Sequence, residues 1–402
     1  MSEWMTCRLG DLIHIKHGYA FKGEFFSEDG PGPLLLTPGN FAIGGGFKAG
    51  KPKYYLGPTP DEFRLEGGEL MVTMTDLSKA GDTLGYPAII PASPTYLHNQ
   101  RIGLVTIKDH SSIDKFFLSY ALRTPDYRSH ILAGASGSTV RHTSPGRISD
   151  YAFSIPGLKE QRAISAVLGA LDDKIAVNDR IVRASRKLIA LEYTHAISSG
   201  AHSVIIGKIA SLFDGPHATP KKTDSGPWFL SISSLNGGRL ELGESAHLSE
   251  DDFKQWTRRV TPRAGDVLFS YETRLGEAAL MPAEIRACLG RRMALLRPHG
   301  VGPVTLLQAF LSSSFQETIR QYSVHGATVD RIPLSEFPSW NINLPMKEPR
   351  ELENVLGHLN EIAESCESEN GVLAELRDAL LPRLMSGEIR VRDAEKVVED
   401  VT

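Results

Sequence analysis

The chain states its plan twice, and the repeat limits what it can fold into. Gly137-Ser138-Thr139-Val140 returns 189 residues later as Gly326-Ala327-Thr328-Val329, and the hydrophobic-Pro step Ile155-Pro156 returns as Leu344-Pro345 at the same distance. Ile155-Pro-Gly-Leu-Lys-Glu-Gln-Arg162 matches Leu344-Pro-Met-Lys-Glu-Pro-Arg350 with one residue deleted, and Val167-Leu168 then aligns with Val355-Leu356. Upstream, Gly68-Glu-Leu-Met-Val-Thr73 pairs with Gly265-Asp-Val-Leu-Phe-Ser270. Insertions change the spacing but never the order of the landmarks. The expectation is a molecule of two equivalent halves related by an approximate dyad, suited to a partner that itself comes in two halves.

Size and composition fit that plan. With 402 residues, 41% hydrophobic and 23% charged, there is room for two domains with cores of ordinary size. No apolar run approaches the roughly 20 residues of a membrane helix, and the N-terminal Met1-Ser-Glu-Trp-Met lacks the basic and apolar regions of a signal peptide. Cys7, Cys288 and Cys366 are too far apart for a CxxC pair and read as reduced intracellular thiols; no metal is expected. A net charge of −4 argues mildly against nucleic acid, since phosphates call for Lys and Arg. The charge is segregated, however. Between Lys347 and Asn370 seven glutamates face one lysine and one arginine, so the remainder is about balanced and carries local basic clusters.

Turn residues and apolar runs divide the chain at about 156, 199, 345 and 391. Residues 1–156 hold short β-like runs such as Leu34–Thr37, Leu70–Met74 and Ile102–Ile107 between Gly/Pro-rich turns, with a helix over Ile113–Thr124 stopped by Pro125. Residues 200–345 repeat this with Trp228–Ile232, Val267–Ser270, Met293–Leu296 and a helix from Val304 to Tyr322. Residues 157–199 and 346–391 read as two long helices, and 392–402 as a tail. Ile164, Leu168, Leu171, Ile175, Asn178, Val182, Ser185 and Ile189 alternate in steps of four and three, as do Leu352, Leu356, Leu359, Ala363, Cys366, Asn370, Leu373, Arg377, Leu380 and Leu384. Steps averaging about 3.5 describe a coiled-coil seam, although packing of each helix on its own globular domain would give a similar stripe. The expected class is α+β: two mixed α/β domains joined by two long antiparallel coiled-coil helices, with an internal pseudo-two-fold repeat. Some 30 helical residues would hold the domains roughly 45 Å apart.

Catalytic motifs are missing. Gly45-Gly46-Phe47-Lys48-Ala49-Gly50-Lys51 has phosphate-loop spacing, but Pro52 stands where Ser or Thr should hold magnesium. No Asn/Asp-Pro-Pro-aromatic segment, HExxH, GxSxG or close His/Cys cluster occurs; His14 and His17 read as surface or structural, and Asp172-Asp173 as a solvated face. Polar, basic and aromatic residues on loops are what the globular regions offer. The first supplies Lys48, Lys51, Lys53, Tyr54, Tyr55, Arg101, Ser138, Thr139, Arg141 and His142; the second supplies Lys221, Lys222, Arg258, Arg259, Tyr271, Thr273, Arg274, Arg291, Arg292, Thr328 and Arg331. Such side chains serve phosphates and base edges. Arg101 and Arg291-Arg292 each precede a comparable strand, and Thr139 corresponds to Thr328.

The signature Gly137-Ser-Thr-Val-Arg-His142, Ile155-Pro156, Glu160-Gln-Arg-Ala-Ile164 and Leu168-Gly-Ala-Leu-Asp-Asp-Lys-Ile175 resembles the central region of type I restriction-modification specificity subunits. Leu376-Arg-Asp-Ala-Leu-Leu-Pro-Arg-Leu-Met-Ser-Gly-Glu-Ile389 resembles the terminal segment of the same family. The second copy departs from the pattern, with Glu348-Pro349-Arg350 for Glu-Gln-Arg and Glu353-Asn-Val355 for small residues. The resemblance implies two target recognition domains reading the halves of a split double-stranded DNA site, and helices that act as a ruler and dock two methyltransferase subunits. It further implies ATP-dependent restriction subunits, S-adenosylmethionine, ATP and magnesium on those partners rather than on this chain, and a cytoplasmic, prokaryotic setting at the nucleoid. The chain itself would be non-catalytic. A reading of another class is a protein-binding scaffold with two adhesion-like domains on a helical rod.

Overall fold

The computed structural model of the protein describes residues 4–216, 219–324, 329–346 and 349–400. Contacts divide the chain into two units, Met1–Ile175 with Gly371–Thr402, and Ala176–Asn370. Both divisions fall inside long helices, Leu158–Ser198 and Pro349–Met385, so each unit contains one stretch of either helix.

The first unit is built on a four-stranded antiparallel sheet in the order Ile13–His17, Ile102–Ile107, Leu70–Thr73, Pro87–Ile89. The second repeats it with Ala210–Asp214, Met293–Pro298, Val267–Ser270 and Ala278–Leu280. A closing pair joins the two ends of each domain, Met5–Arg8 with Ala152–Ile155 and Ala201–Ile205 with Asn341–Pro345. Each unit also has a smaller sheet with one parallel pairing, Leu34–Leu35 on Tyr96–Leu97 and Thr223–Phe229 on Ala287–Cys288.

The sequence carries the reason for two cores per sheet. Leu70-Met-Val-Thr73 and Val267-Leu-Phe-Ser270 are buried throughout, and side chains alternate between faces. Leu70 and Val72 point into the helical core while Met71 joins Leu36, Phe41 and Ile102 on the other face. Val267 and Phe269 face the helices of the second unit, and Leu268 joins Leu230, Met281 and Leu295. A run with no polar face forms a strand here because both faces are covered.

Two helix boundaries differ from the sequence expectation. Pro125 does not simply stop a helix. Lys115–Ala121 ends before it, and Pro125 opens the next helix, Pro125–Ala133, behind the Thr124 cap. Proline fits there because the first helical turn leaves its amides unpaired. Val304 to Tyr322 is likewise two helices, Pro303–Leu311 and Ser313–Tyr322, parted where the Ser312 hydroxyl accepts from the Phe315 amide. The tail also gains structure: Val391–Glu399 is a helix, with Ala394 fully buried and Val391 and Val398 packed on the first core.

The helical stripes join both packings that their period allows. Ile164, Leu168 and Leu171, with Ile175 at the margin, share one core with Leu373, Leu380 and the sheet residues Ile13, Leu70 and Val72. Ile189 shares the second core with Leu352, Leu356, Leu359 and the sheet residues Val267 and Phe269. Val182, Ser185 and Asn178 are buried too. In the second unit Asn178 donates to Glu369 (2.7 Å), Asn370 to Asp179 (2.9 Å), and Arg186 pairs with Glu367 (3.0 Å), as antiparallel helices require.

Asp172 is not the solvated residue its neighbours Asp173 and Lys174 suggest. Its carboxylate receives the Tyr120 hydroxyl (2.7 Å), Arg123 (3.0 Å) and Arg377 (2.8 Å). Burial raises its pKa, but the two guanidiniums and the phenol outweigh that and hold it below the usual carboxylate range.

Candidate nucleic-acid interface

Two loops meet at the same end of each four-stranded sheet, the closing loop joins them there, and one set of hydrogen bonds gathers all three in both units. In the first, the Met74 amide donates to Arg101 O (3.0 Å) and the Thr143 amide to Met74 O (3.0 Å). In the second, the Tyr271 amide donates to Arg292 O (3.2 Å) and the Ile332 amide to Tyr271 O (2.9 Å). The buried hydroxyl at each strand end donates two residues onward, Thr73 to Thr75 O (2.9 Å) and Ser270 to Glu272 O (2.6 Å). Antiparallel bridges close the frame, His142 on Thr75 and Arg331 on Glu272. Arg101 and Arg292 are thus equivalent, as are His142 and Arg331. Gly137 opens the closing loop with φ +89°, where a Cβ would stand 2.0 Å from Val140 O; only glycine fits.

The loops on this frame differ. In the first unit Asp76 organises the turn: its carboxylate accepts the Ser78 amide (2.6 Å), the Thr83 hydroxyl (2.7 Å) and the Thr83 amide. Burial raises the Asp76 pKa, but these donors together leave it below the usual carboxylate range. The Arg128 guanidinium, seated over the Tyr86 ring, donates to the carbonyls of Gly81 and Leu84 and holds the far end. The pinned loop exposes Leu77 and Lys79 beside exposed Arg101, Ser138, Thr139 and His142. His142 Nδ1 is 3.1 Å from the Thr75 hydroxyl, and Arg141 donates to Gly137 O (3.2 Å).

The second unit has a shorter loop. The Ser270 amide donates to Glu277 O (3.0 Å), closing it after six residues, with Thr273 at φ +69°. Arg292, itself at φ +67°, pairs with Glu272 (2.7 Å), and Arg274 pairs with Glu277 (3.4 Å) and reaches Ile232 O and Ser233 O (3.3 Å each). Arg291 and Arg331 are exposed on the same frame. Thr328 lies outside the described residues.

Two tyrosines among the sequence candidates are corrected. Tyr55 is 3% exposed and meets Phe21, Phe25 and Phe26 edge-on, so the small sheet, not a ligand, uses its ring. Tyr271 is 6% exposed in the second core, with its hydroxyl hydrogen-bonded to Asp214; burial pushes its pKa up. Lys48, Lys51, Lys53 and Tyr54 belong to the small sheet and its lead-in: Lys51 pairs with Glu28 (2.6 Å), and Lys53 lies over the Phe26 ring at 4.1 Å. Lys221 and Lys222 precede strand Thr223–Phe229 and are exposed. Arg258 and Arg259 line a recess with Trp256, Gly215 and Leu289. Sequence reading missed Asp76, Leu77, Lys79 and Glu272. The legible signal was Asp76-Leu77-Ser78, because an Asp two residues before an amide is the pattern of a side-chain-closed turn.

Among the described residues no group of three or more His, Cys, Asp or Glu could hold a metal ion, and no helix is long and apolar enough to cross a membrane. Comparison with known proteins gives the frame its identity. Residues 1–183 match the family model for the type I restriction modification DNA specificity domain. The type I restriction enzyme EcoBI specificity subunit of Escherichia coli is 23% identical over 426 residues, an alignment covering 96% of this chain and 86% of that protein. The crystal structure of a type I restriction-modification S subunit from M. genitalium has the same fold, with a TM-score of 0.60 at 16% identity over 95% of this chain and 96% of that one. The first 183 residues are a type I restriction modification DNA specificity domain, the same frame is built a second time, and the chain is similar from end to end to a type I specificity subunit.

Proposed function

We propose that each unit reads one half of a bipartite, asymmetric double-stranded DNA site with the three loops gathered at its sheet end. The observation that carries this reading is a frame shared hydrogen bond for hydrogen bond, on which the exposed side chains differ. A common frame suits a common task on the duplex, and unlike loops suit unlike base sequences. The chain contributes specificity and no catalysis. Two methyltransferase subunits carrying S-adenosylmethionine dock on the long helices and methylate an adenine in each half-site after flipping it from the stack. Restriction subunits using ATP and magnesium complete the complex, in the cytoplasm of a prokaryote.

The direct test is to express the chain with its methyltransferase and sequence the modified bases. A split site with unlike halves is expected; a continuous or palindromic site would overturn the reading. Exchanging residues 1–156 for another recognition domain is expected to change one half-site only. Inserting one helical turn into Leu158–Ser198 is expected to change the tolerated spacer with both half-sites kept. A salt-dependent shift of duplex DNA by the purified protein, alone or with methyltransferase, separates this reading from a protein-binding scaffold.

A further inference from the structure

Leu77 is 66% exposed, and nothing in its own fold explains why. An apolar side chain left in water at a mobile loop tip would carry little meaning. This one is held in place. Asp76, the residue before it, spends its carboxylate on Ser78 and Thr83, Arg128 fixes the carbonyls of Gly81 and Leu84, and the Asp82 amide donates to the Ser78 hydroxyl (2.8 Å). The loop is therefore organised before any ligand arrives, and covering Leu77 would cost little ordering entropy. Its surroundings are cationic and polar: Lys79 on the same loop, and Arg101, Ser138 and Thr139 on the loops gathered with it. None of these side chains has a hydrogen-bond or ion-pair partner among the described residues. An apolar knob on loops that also carry these polar and cationic side chains fits a surface that is anionic in part and apolar at one point. Duplex DNA offers that combination in the major groove, where thymine alone carries a methyl group.

Resting on the proposed reading of one half-site by each unit, we infer that Leu77 recognises the 5-methyl group of a thymine in the half-site read by the first unit. Among the described residues, the matching loop of the second unit, residues 271–276, has no such exposed leucine. This shorter loop exposes Thr273, while its leucine, Leu275, packs against the core. The leucine contact belongs to one half-site alone, and this makes the target asymmetric in its chemistry as well as its sequence. Ile43, 74% exposed, lies on a separate glycine turn between Phe41 and Phe47, and serves as the control.

The test uses the full chain in complex with its methyltransferase and a duplex carrying the methylated site. Each thymine in the half-site that changes when residues 1–156 are exchanged is replaced, one at a time, by deoxyuridine, which lacks only the methyl. One buried methyl corresponds to about fourfold in affinity. With the native chain, one replacement is expected to weaken binding about fourfold. With Leu77→Ala the thymine and deoxyuridine duplexes should bind alike, with Leu77→Met the difference should return in part, and with Ile43→Ala it should be unchanged. The inference is overturned if no replacement in that half-site has an effect, if the half-site contains no thymine, or if the effect survives Leu77→Ala. It is also overturned if Leu77→Ala weakens both duplexes while deoxyuridine is neutral in the native complex, which would mean a wedge between base steps. Failure of the native complex to prefer its own site over unrelated duplex would instead sink the half-site reading itself.

Discussion

In the first unit the loop after the strand Leu70–Thr73 is long and pinned by a carboxylate; in the second the matching loop is short, closed by the Ser270 amide on Glu277 O and tied to the neighbouring loop by the Glu272–Arg292 ion pair. Away from the loops, the units differ again in how they cap one equivalent helix. Asp114 caps Lys115–Ala121 through the amides of Phe116 and Phe117, and Ser165 on the long helix donates to that same carboxylate. At the matching places stand Gly302 and Glu353. Gly302 offers no cap, and Glu353 reaches across to accept from Val304 (3.1 Å) and Thr305 (2.9 Å). The carboxylate has moved from the capping residue to the facing helix, which explains why the second copy departs from the small-residue pattern. A Cβ on residue 302 would stand 2.0 Å from the Glu353 carboxyl carbon, so the glycine and the glutamate come as a pair. What the repeat preserves is a hydrogen-bond count at each helix end, not a residue at each position.

The strongest way to break the comparison is to make one unit resemble the other. Asn360 stands in the second unit where Asp172 stands in the first, so Asp172→Asn imports a residue the fold already accepts. It nevertheless leaves Arg123 and Arg377 without their shared anion, and a loss of about 3 kcal/mol in urea unfolding is expected; a loss below about 1 kcal/mol would show that the network is dispensable. Gly302→Asp is expected to cost about 2 kcal/mol, because it crowds Glu353 with bulk and like charge. The double variant Gly302→Asp with Glu353→Ser rebuilds the first unit's cap and should recover most of that loss. Additive losses would refute the pairing.

Arg101→Ala is expected to weaken DNA binding by about 1–2 kcal/mol and to relax one half-site or lower the salt slope, with the other half-site unaffected. Arg292→Ala, already tied to Glu272, should cost less; competition binding at two salt concentrations ranks the two. Acid sharpens the same contrast by the smallest amount. Asp76 and Asp172, both in the first unit, titrate below their unfolded value of about 3.9, so their contribution is present above that pH and lost as pH falls through the lowered folded values. Below about pH 4 the gap between native protein and Asp172→Asn should therefore narrow; a constant gap from pH 7 to 3 would mean that the carboxylate is unperturbed.

Much of the frame was legible in the chain. Strand starts at Gly68 and Gly265, the paired arginines before Ile102 and Met293, and the four-three stripes all mark elements the fold uses. The interface was legible in part. Arg101 and His142 are brought together in the first unit, as Arg292 and Arg331 are in the second, whereas Tyr55 and Tyr271 turn inward because the backbone places them over aromatic and aliphatic cores. Composition cannot separate a tyrosine that stacks on a ligand from one that fills a core, since the ring suits both.

The sequence by itself determined that one structural plan occurs twice and which helical faces are apolar, because periodicity and repeat order are properties of the chain alone. Only the tertiary structure decided that Asp172 binds rather than faces water, that Glu353 substitutes for a missing cap, and that Leu77 is held in solvent on a pinned loop. Those outcomes depend on groups dozens to hundreds of residues away. A carboxylate's partners, and an apolar side chain's lack of them, exist only once the sheet has brought distant segments together.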